Sequence, residues 1–333
     1  MLDAPVLTLE ALSVRFAADR GEVVALEDVS FAVSAGETLA LVGESGSGKS
    51  VTSLSILRLL PPSGRIAGGR ILFRGWSGET VDLATADEAA LRAIRGAGVS
   101  MVFQEPMSAL NPAFTIGAQI AETIALHQRV PWRDALARAE TALAKVGIAE
   151  PARRLGQYPH QLSGGMRQRA MIAMAVACRP ALLIADEPTT ALDVTTQARV
   201  LELIAALQVE TGMAVLFVTH NLALVPMIAS RVVVMYAGQI VEAGAAGEVL
   251  AGPKHPYTRA LLECLPARHL PRDAAAPRPL PTIEGSSAVR PAAGCAFAPR
   301  CPLATLQCET GEIVLRAVGA DGRLSRCLRA ELL

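Results

Sequence analysis

The run GESGSGKS, Gly43 to Ser50, constrains the fold more than any other stretch of the chain. It fits G-x-x-x-x-G-K-[ST], a loop that works only between a buried strand and the first turn of a helix. Glycines let backbone N–H groups turn inward toward phosphate oxygens. Lys49 adds a positive charge, and the Ser50 hydroxyl is placed to ligate Mg²⁺. The flanks agree. The apolar run ETLALVG before the loop reads as a buried strand of a parallel sheet, and a helix is expected from Lys49 to about Leu60, stopped by Pro61 and Pro62. The positive end of that helix faces the phosphates. A Gly/Ser turn that matches by chance is the alternative, and the strand and helix on either side argue against it.

A phosphate loop needs a partner acid. ALLIADEP is an apolar run ending in Asp186 and Glu187, and an open α/β sheet places its ligand chemistry at the C-terminal ends of its strands. Asp186 would hold Mg²⁺, and Glu187 would orient or deprotonate the attacking water. A helix-capping pair before Pro188 is the alternative. Gln104 ends VSMVFQ, where a neutral amide meets Mg²⁺ or water without adding charge. His220 ends VLFVTH, within reach of a γ-phosphate, although a strand-end histidine is more often only a satisfied polar residue. Together these residues predict one polar edge.

The remaining pattern fits a wound α/β chain with additions. LTLEALSVRF and GEVVALEDVSFAV alternate and read as antiparallel strands. TIGAQIAETIALHQ and WRDALARAETALAKVG have helical spacing, so a helical insertion is expected over about 105–165. Strand and helix then alternate again through TTQARVLELIAALQVE, MAVLFVTH and the hairpin RVVVMYAGQIVEAG. From Pro266 to Ala293 the prolines thicken into a linker or extended arm. The predicted division is therefore 1–252 for the main domain and 253–333 for a C-terminal extension. Formal charge is balanced at zero, which gives no support for a nucleic-acid binder. The N-terminal residues lack a basic, then apolar, leader pattern, and no apolar run is long enough to cross a bilayer, so a soluble protein in a reducing compartment is expected.

LSGGMRQRAMIAMAV offers a second anion site. Ser163, Gly164 and Gly165 form a small-residue loop opening another helix. A serine N-cap with permissive glycines is the plainer alternative. One nucleotide has one γ-phosphate, so two such loops point to a head-to-tail dimer in which each loop pair closes on a nucleotide from opposite sides.

With these motifs in this order, the chain resembles the ATP-hydrolysing subunit of an ATP-binding-cassette (ABC) transporter. The matches are GESGSGKS (Walker A), Gln104 (Q-loop), LSGGM (signature), LLIADEP (Walker B and catalytic Glu), Ala191 to Asp193 (D-loop) and His220 (switch), within about Leu7 to Glu248. The resemblance implies an α/β P-loop NTPase cassette with an antiparallel β subdomain, a helical insertion and, here, a C-terminal cysteine-containing tail. It implies ATP and Mg²⁺ as ligands. Gly43, Ser45, Gly46, Gly48, Lys49, Ser50, Val51, Ser163, Gly164 and Gly165 would contact nucleotide, and Ser50, Gln104 and Asp186 would contact Mg²⁺. Lys49, Gln104, Glu187 and His220 would be catalytic, and Phe16 would stack on adenine.

Finer motifs, QEPMSALNP, KHPYTRALL and GCAFAPRCPLATLQC, resemble the oligopeptide/dipeptide and nickel importer branch. That resemblance implies two transmembrane permease subunits, a second ATPase subunit forming a heterodimer, and an extracytoplasmic solute-binding protein acting indirectly, with the chain peripheral at the cytoplasmic face of the membrane. Some members of the branch carry a [4Fe–4S] cluster on four tail cysteines, which here would be Cys295, Cys301, Cys308 and Cys327, with Arg300 offsetting its charge. Zinc and free thiols are the other readings. Cys178 and Cys264 are expected to be structural. A non-transport ABC-type ATPase, acting as a nucleotide-gated binding factor, is the rival function; such chains usually carry tandem cassettes or a long coiled coil, and neither is evident here.

Overall fold

The computed structural model describes residues 4–19, 21–104, 109–190, 192–265, 282–283, 285, 291, 293–319 and 322–333. Most of the proline-rich arm, the EPMS segment after Gln104 (105–108) and Ala191 of the D-loop lie outside the described residues.

Three short runs, β3 (Thr38–Val42), β7 (Leu182–Asp186) and β8 (Ala214–Thr219), are buried at every position. A strand covered on both faces is apolar along its interior, and the polar residues here, Thr38, Asp186 and Thr219, stand at strand ends. With β6 (Val99–Val102) and β9 (Arg231–Tyr236) they pair in parallel, and β10 (Gln239–Ala245) folds back on β9 as a hairpin. Alternate residues serve two cores. Ala40, Val42, Val215 and Phe217 face the helices, whereas Leu39, Leu41, Leu216 and Val218 face the smaller sheet.

That smaller sheet is antiparallel, in the order β2 (Gly21–Val33), β1 (Leu7–Ala18), β4 (Gly64–Arg74), β5 (Thr80–Asp82). The helical insertion is built on the helices Ile116–Gln128 and Trp132–Lys145. Ile116, Ile120 and Ile124 recur every four residues and join one cluster with Ala135, Ala139 and Leu143. Thr115 caps the first of these helices, its hydroxyl accepting from the Ala118 N–H at 3.3 Å.

The helix after the phosphate loop is shorter than the prolines alone suggest. It runs Lys49–Ile56, because Arg58 takes a left-handed conformation (φ 53°) and its guanidinium donates to the carbonyls of Leu83 and Ala84. The tail also differs from a simple appendage. Strands β11 (Arg316–Val318) and β12 (Arg323–Ser325) extend the main sheet, with Glu242 of β10 opposite Ser325 of β12. Among the described residues, no helix is long and apolar enough to cross a membrane.

Candidate nucleotide site

The loop between β3 and its helix is wrapped so tightly that two positions exclude a side chain. A Cβ on Gly43 would stand 2.3 Å from the Met235 carbonyl oxygen, and one on Gly48 (φ 105°) would stand 2.7 Å from the Leu26 side chain. Lys49 is buried, and its ammonium donates to the carbonyls of Gly43 (2.7 Å) and Glu44 (2.9 Å). Burial lowers its pKa from the ordinary lysine value, while Glu187, Asp186 and Glu44 pull it back up.

Asp186 ends β7 and is buried. Burial raises its pKa, partly offset by a hydrogen bond from Ser50, and its Oδ1 has no hydrogen-bond partner among the described residues. An orphaned carboxylate oxygen beside a serine hydroxyl and a lysine suits Mg²⁺, which takes oxygen ligands from one or two such side chains plus substrate phosphates. These residues therefore fit the ion.

Glu187 follows in the left-handed region (φ 47°), a costly conformation for a residue with a Cβ and one that concentrates at functional sites. It collects three polar partners. Gln104 Nε2 donates to Oε2 at 3.0 Å, the Thr190 hydroxyl donates to the same oxygen at 2.9 Å, and His220 Nδ1 lies 2.8 Å from Oε1. Gln104 and His220 thus meet Glu187 across the ends of β6, β7 and β8, as the three strand-end residues predicted. Thr190 was missed; its signal was the hydroxyl pair directly after the acid and proline in DEPTT.

The resulting open cleft of about 610 Å³ lies between Val23 and Val24 on one wall, the loop from Ser45 to Val51, and Gln104 with Glu187. Phe16 sits beside it. It pairs with Val23 across β1 and β2, is half-buried, and packs on Gly64, where a Cβ would come within 2.7 Å of its ring. The exposed apolar wall that the structure presents to the cleft is Val23 and Val24, which the sequence did not single out.

Ser163 caps the helix Gly164–Val176 by accepting from the Met166 N–H. The structure thus shows the serine N-cap directly. Ser163 and Gly165 line a separate, shallow cleft of about 290 Å³ that shares no lining residue with the first. Asp193 of the D-loop caps the helix Val194–Thr211, accepting from the Thr196 N–H at 3.0 Å.

The four tail cysteines are brought together. Cys295, Cys301, Cys308 and Cys327 line one small cavity of about 20 Å³ with Phe297 and Ile313. Burial raises the Cys295 and Cys301 thiols and pushes Cys327 up to about 11. Among the described residues no group of three or more His, Cys, Asp or Glu side chains is arranged to hold a metal ion. The thiols surround a space instead of closing on one point, which is unlike a tetrahedral zinc site. Arg300 does not face this cavity as a counter-charge. Its guanidinium turns to Glu44 in the phosphate loop, because that carboxylate offers a bidentate partner at 2.8 and 3.2 Å. Cys178 is half-buried and its thiol donates to the Thr123 carbonyl, and Cys264 closes the helix Pro256–Glu263.

Comparison with known proteins gives the same outline. The ABC transporter profile matches residues 26–190, and that of the oligopeptide/dipeptide transporter C-terminal region matches residues 241–308. A protein of Brucella abortus (strain 2308) provisionally named a peptide import ATP-binding protein is 53% identical over 98% of this chain and 97% of its own length. The glutathione import ATP-binding protein GsiA of Escherichia coli (strain K12) is 50% identical over 84% of this chain and 45% of its own length. Among solved structures, the ATP-binding cassette MJ0796, a dimer in a post-hydrolysis state with ADP and Pi, aligns with TM-score 0.64 and 26% identity over 72% of this chain and 98% of that one.

Proposed function

The chain belongs to the ABC transporter family, and we propose that within it this protein is the ATP-hydrolysing subunit of an importer of di-/oligopeptides or related solutes. The observation that carries the chemistry is the convergence of Gln104, Thr190 and His220 on Glu187, beside the Lys49–Asp186–Ser50 group. Lys49 and the loop amides hold the phosphates. Glu187 orients the attacking water and takes its proton, and His220 and Gln104 fix the carboxylate for that task. Ser50, Asp186 and Gln104 would hold Mg²⁺, which would supply neutralising charge to the phosphates. The relatives' import names support the substrate class.

A second subunit completes the site. The separate cleft under Ser163 supports a head-to-tail pair in which the signature loop of one ATPase meets the nucleotide on the other. The partner ATPase is a different, homologous chain, and the pair docks from the cytoplasmic face onto two permease subunits through the helical insertion. A solute-binding protein outside selects the cargo. A non-transport ABC-type ATPase acting as a nucleotide-gated binding factor is the weaker reading, because the tail matches a transporter region.

In the tail, a [4Fe–4S] cluster would be held by Cys295, Cys301, Cys308 and Cys327, and would supply a structural, redox-active clip. The support is the tail's resemblance to the importer branch, together with the gathering of all four thiols around one small, largely apolar cavity.

Expression of the chain with its neighbouring permeases in vesicles, with ATP inside and labelled dipeptide and binding protein outside, tests the importer reading. Uptake lost in Lys49→Ala is the expected result; ATP turnover unconnected to any membrane partner would overturn it. Anaerobic purification with iron and zinc analysis, alongside Cys301→Ser, tests the clip. About four irons per chain, lost in the variant, is expected, and a metal-free wild type would remove it.

A further inference from the structure

The tail reaches the phosphate loop. Arg300, one residue before Cys301, forms a fork on the Glu44 carboxylate, and its side chain is only 7% exposed. Tyr257 approaches the same residue from another element: its hydroxyl accepts the Glu44 backbone N–H at 2.8 Å. Both anchors are themselves fixed. Tyr257, Tyr236 and Phe297 form an aromatic cluster with centroids 4.7 to 5.4 Å apart, and the Arg300 guanidinium lies over the Tyr236 and Phe297 rings. Glu44 in turn carries one of the two carbonyls that receive the Lys49 ammonium.

We propose that Arg300 and Tyr257 are positioning residues for ATP binding, holding Glu44 so that the phosphate loop keeps its open, anion-binding shape. Neither touches nucleotide. They act through a loop residue that lies 256 positions from Arg300 and 213 from Tyr257. A loop of mostly small residues has many conformations, and two anchors on its second residue remove most of them before ATP arrives. The fork is charge-assisted, so losing Arg300 strips Glu44 of its bidentate partner, and losing Glu44 leaves the guanidinium with the Tyr236 hydroxyl and the Ile283 carbonyl. The tail thereby becomes part of the nucleotide site.

This inference rests on the loop being the ATP site, and the test separates the two. Binding of Mg-ATP to the full-length chain is measured by calorimetry for wild type, Arg300→Gln, Arg300→Lys, Glu44→Gln, the Glu44→Gln/Arg300→Gln double variant and Tyr257→Phe, with thermal melting as a check on folding. Arg300→Gln and Glu44→Gln are each expected to weaken binding about tenfold, the double variant no further, and Arg300→Lys to recover part of the loss. Tyr257→Phe removes one oxygen and is expected to weaken binding about threefold; it keeps the test open if Arg300→Gln does not fold. Unchanged affinity in Arg300→Gln or, should that variant not fold, in Tyr257→Phe overturns the proposal. So do Arg300→Gln and Glu44→Gln effects that simply add. A wild type that binds no Mg-ATP overturns the loop reading itself.

Discussion

His220 Nδ1 lies 2.8 Å from Glu187 Oε1, while Gln104 and Thr190 share the other carboxylate oxygen. The acid is thus held from both sides, with its backbone kept in the left-handed region and its N–H bonded to the Val218 carbonyl at 2.9 Å. A carboxylate so restrained points in one direction, and that direction is the cleft.

Glu187→Gln keeps the shape and removes the base. ATP binding should persist while turnover falls at least about 100-fold. Single-turnover hydrolysis measures this, and substantial residual hydrolysis would strip Glu187 of its role.

His220→Ala should lower turnover about 100-fold with little change in ATP affinity, because it frees the Glu187 side chain without touching the loop. A loss in affinity as large as the loss in rate would assign His220 to binding instead.

Ser50→Ala removes the hydroxyl that bonds Asp186. The Mg²⁺ concentration needed for half-maximal hydrolysis should rise about tenfold. An unchanged Mg²⁺ dependence would separate Ser50 from the ion.

Ser163→Arg places a bulky cation in the second cleft. The isolated chain should still bind ATP, while ATP-driven pairing and hydrolysis are lost; sedimentation with and without ATP reads this. Pairing that survives would point to an interface elsewhere.

Glu242 sets a pH dependence of stability. Burial raises its carboxyl from 4.5 to about 7, although the Lys254 and His255 backbone N–H groups donate to it. A raised carboxyl pKa means the folded state binds the proton more tightly, so its contribution is full below about 4.5 and lost as pH rises through about 7. His255 acts oppositely: burial lowers it from 6.5 to about 3, so its contribution is full above 6.5 and is lost on acidification. Glu242→Gln should therefore flatten the decline in denaturant midpoint between about pH 5 and 7.5. The slope, more than the level, is diagnostic, since an amide cannot accept both N–H groups. An unaltered slope would place the titration on another group.

The candidate site was legible because its information is local. GESGSGKS needs only a strand before it and a helix after it, and Gln104, Asp186 and His220 each stand at or just beyond the end of an apolar run. Once those runs pair in parallel, their ends must share an edge. Thr190 was less visible, since a threonine in a turn usually serves only the turn.

What the sequence determined by itself, then, is the family of chemistry: a phosphate loop, a partner acid and a signature loop, in periods of two and three-to-four that need only neighbouring residues. The tertiary structure alone decided the rest. It put Ser163 in a cleft apart from Lys49, and added β12 to the edge of β10. It also turned Arg300 from its neighbour Cys301 to Glu44. Such choices depend on which distant carboxylate or strand edge packing brings within about 3 Å of a donor, a matter on which spacing along the chain is silent.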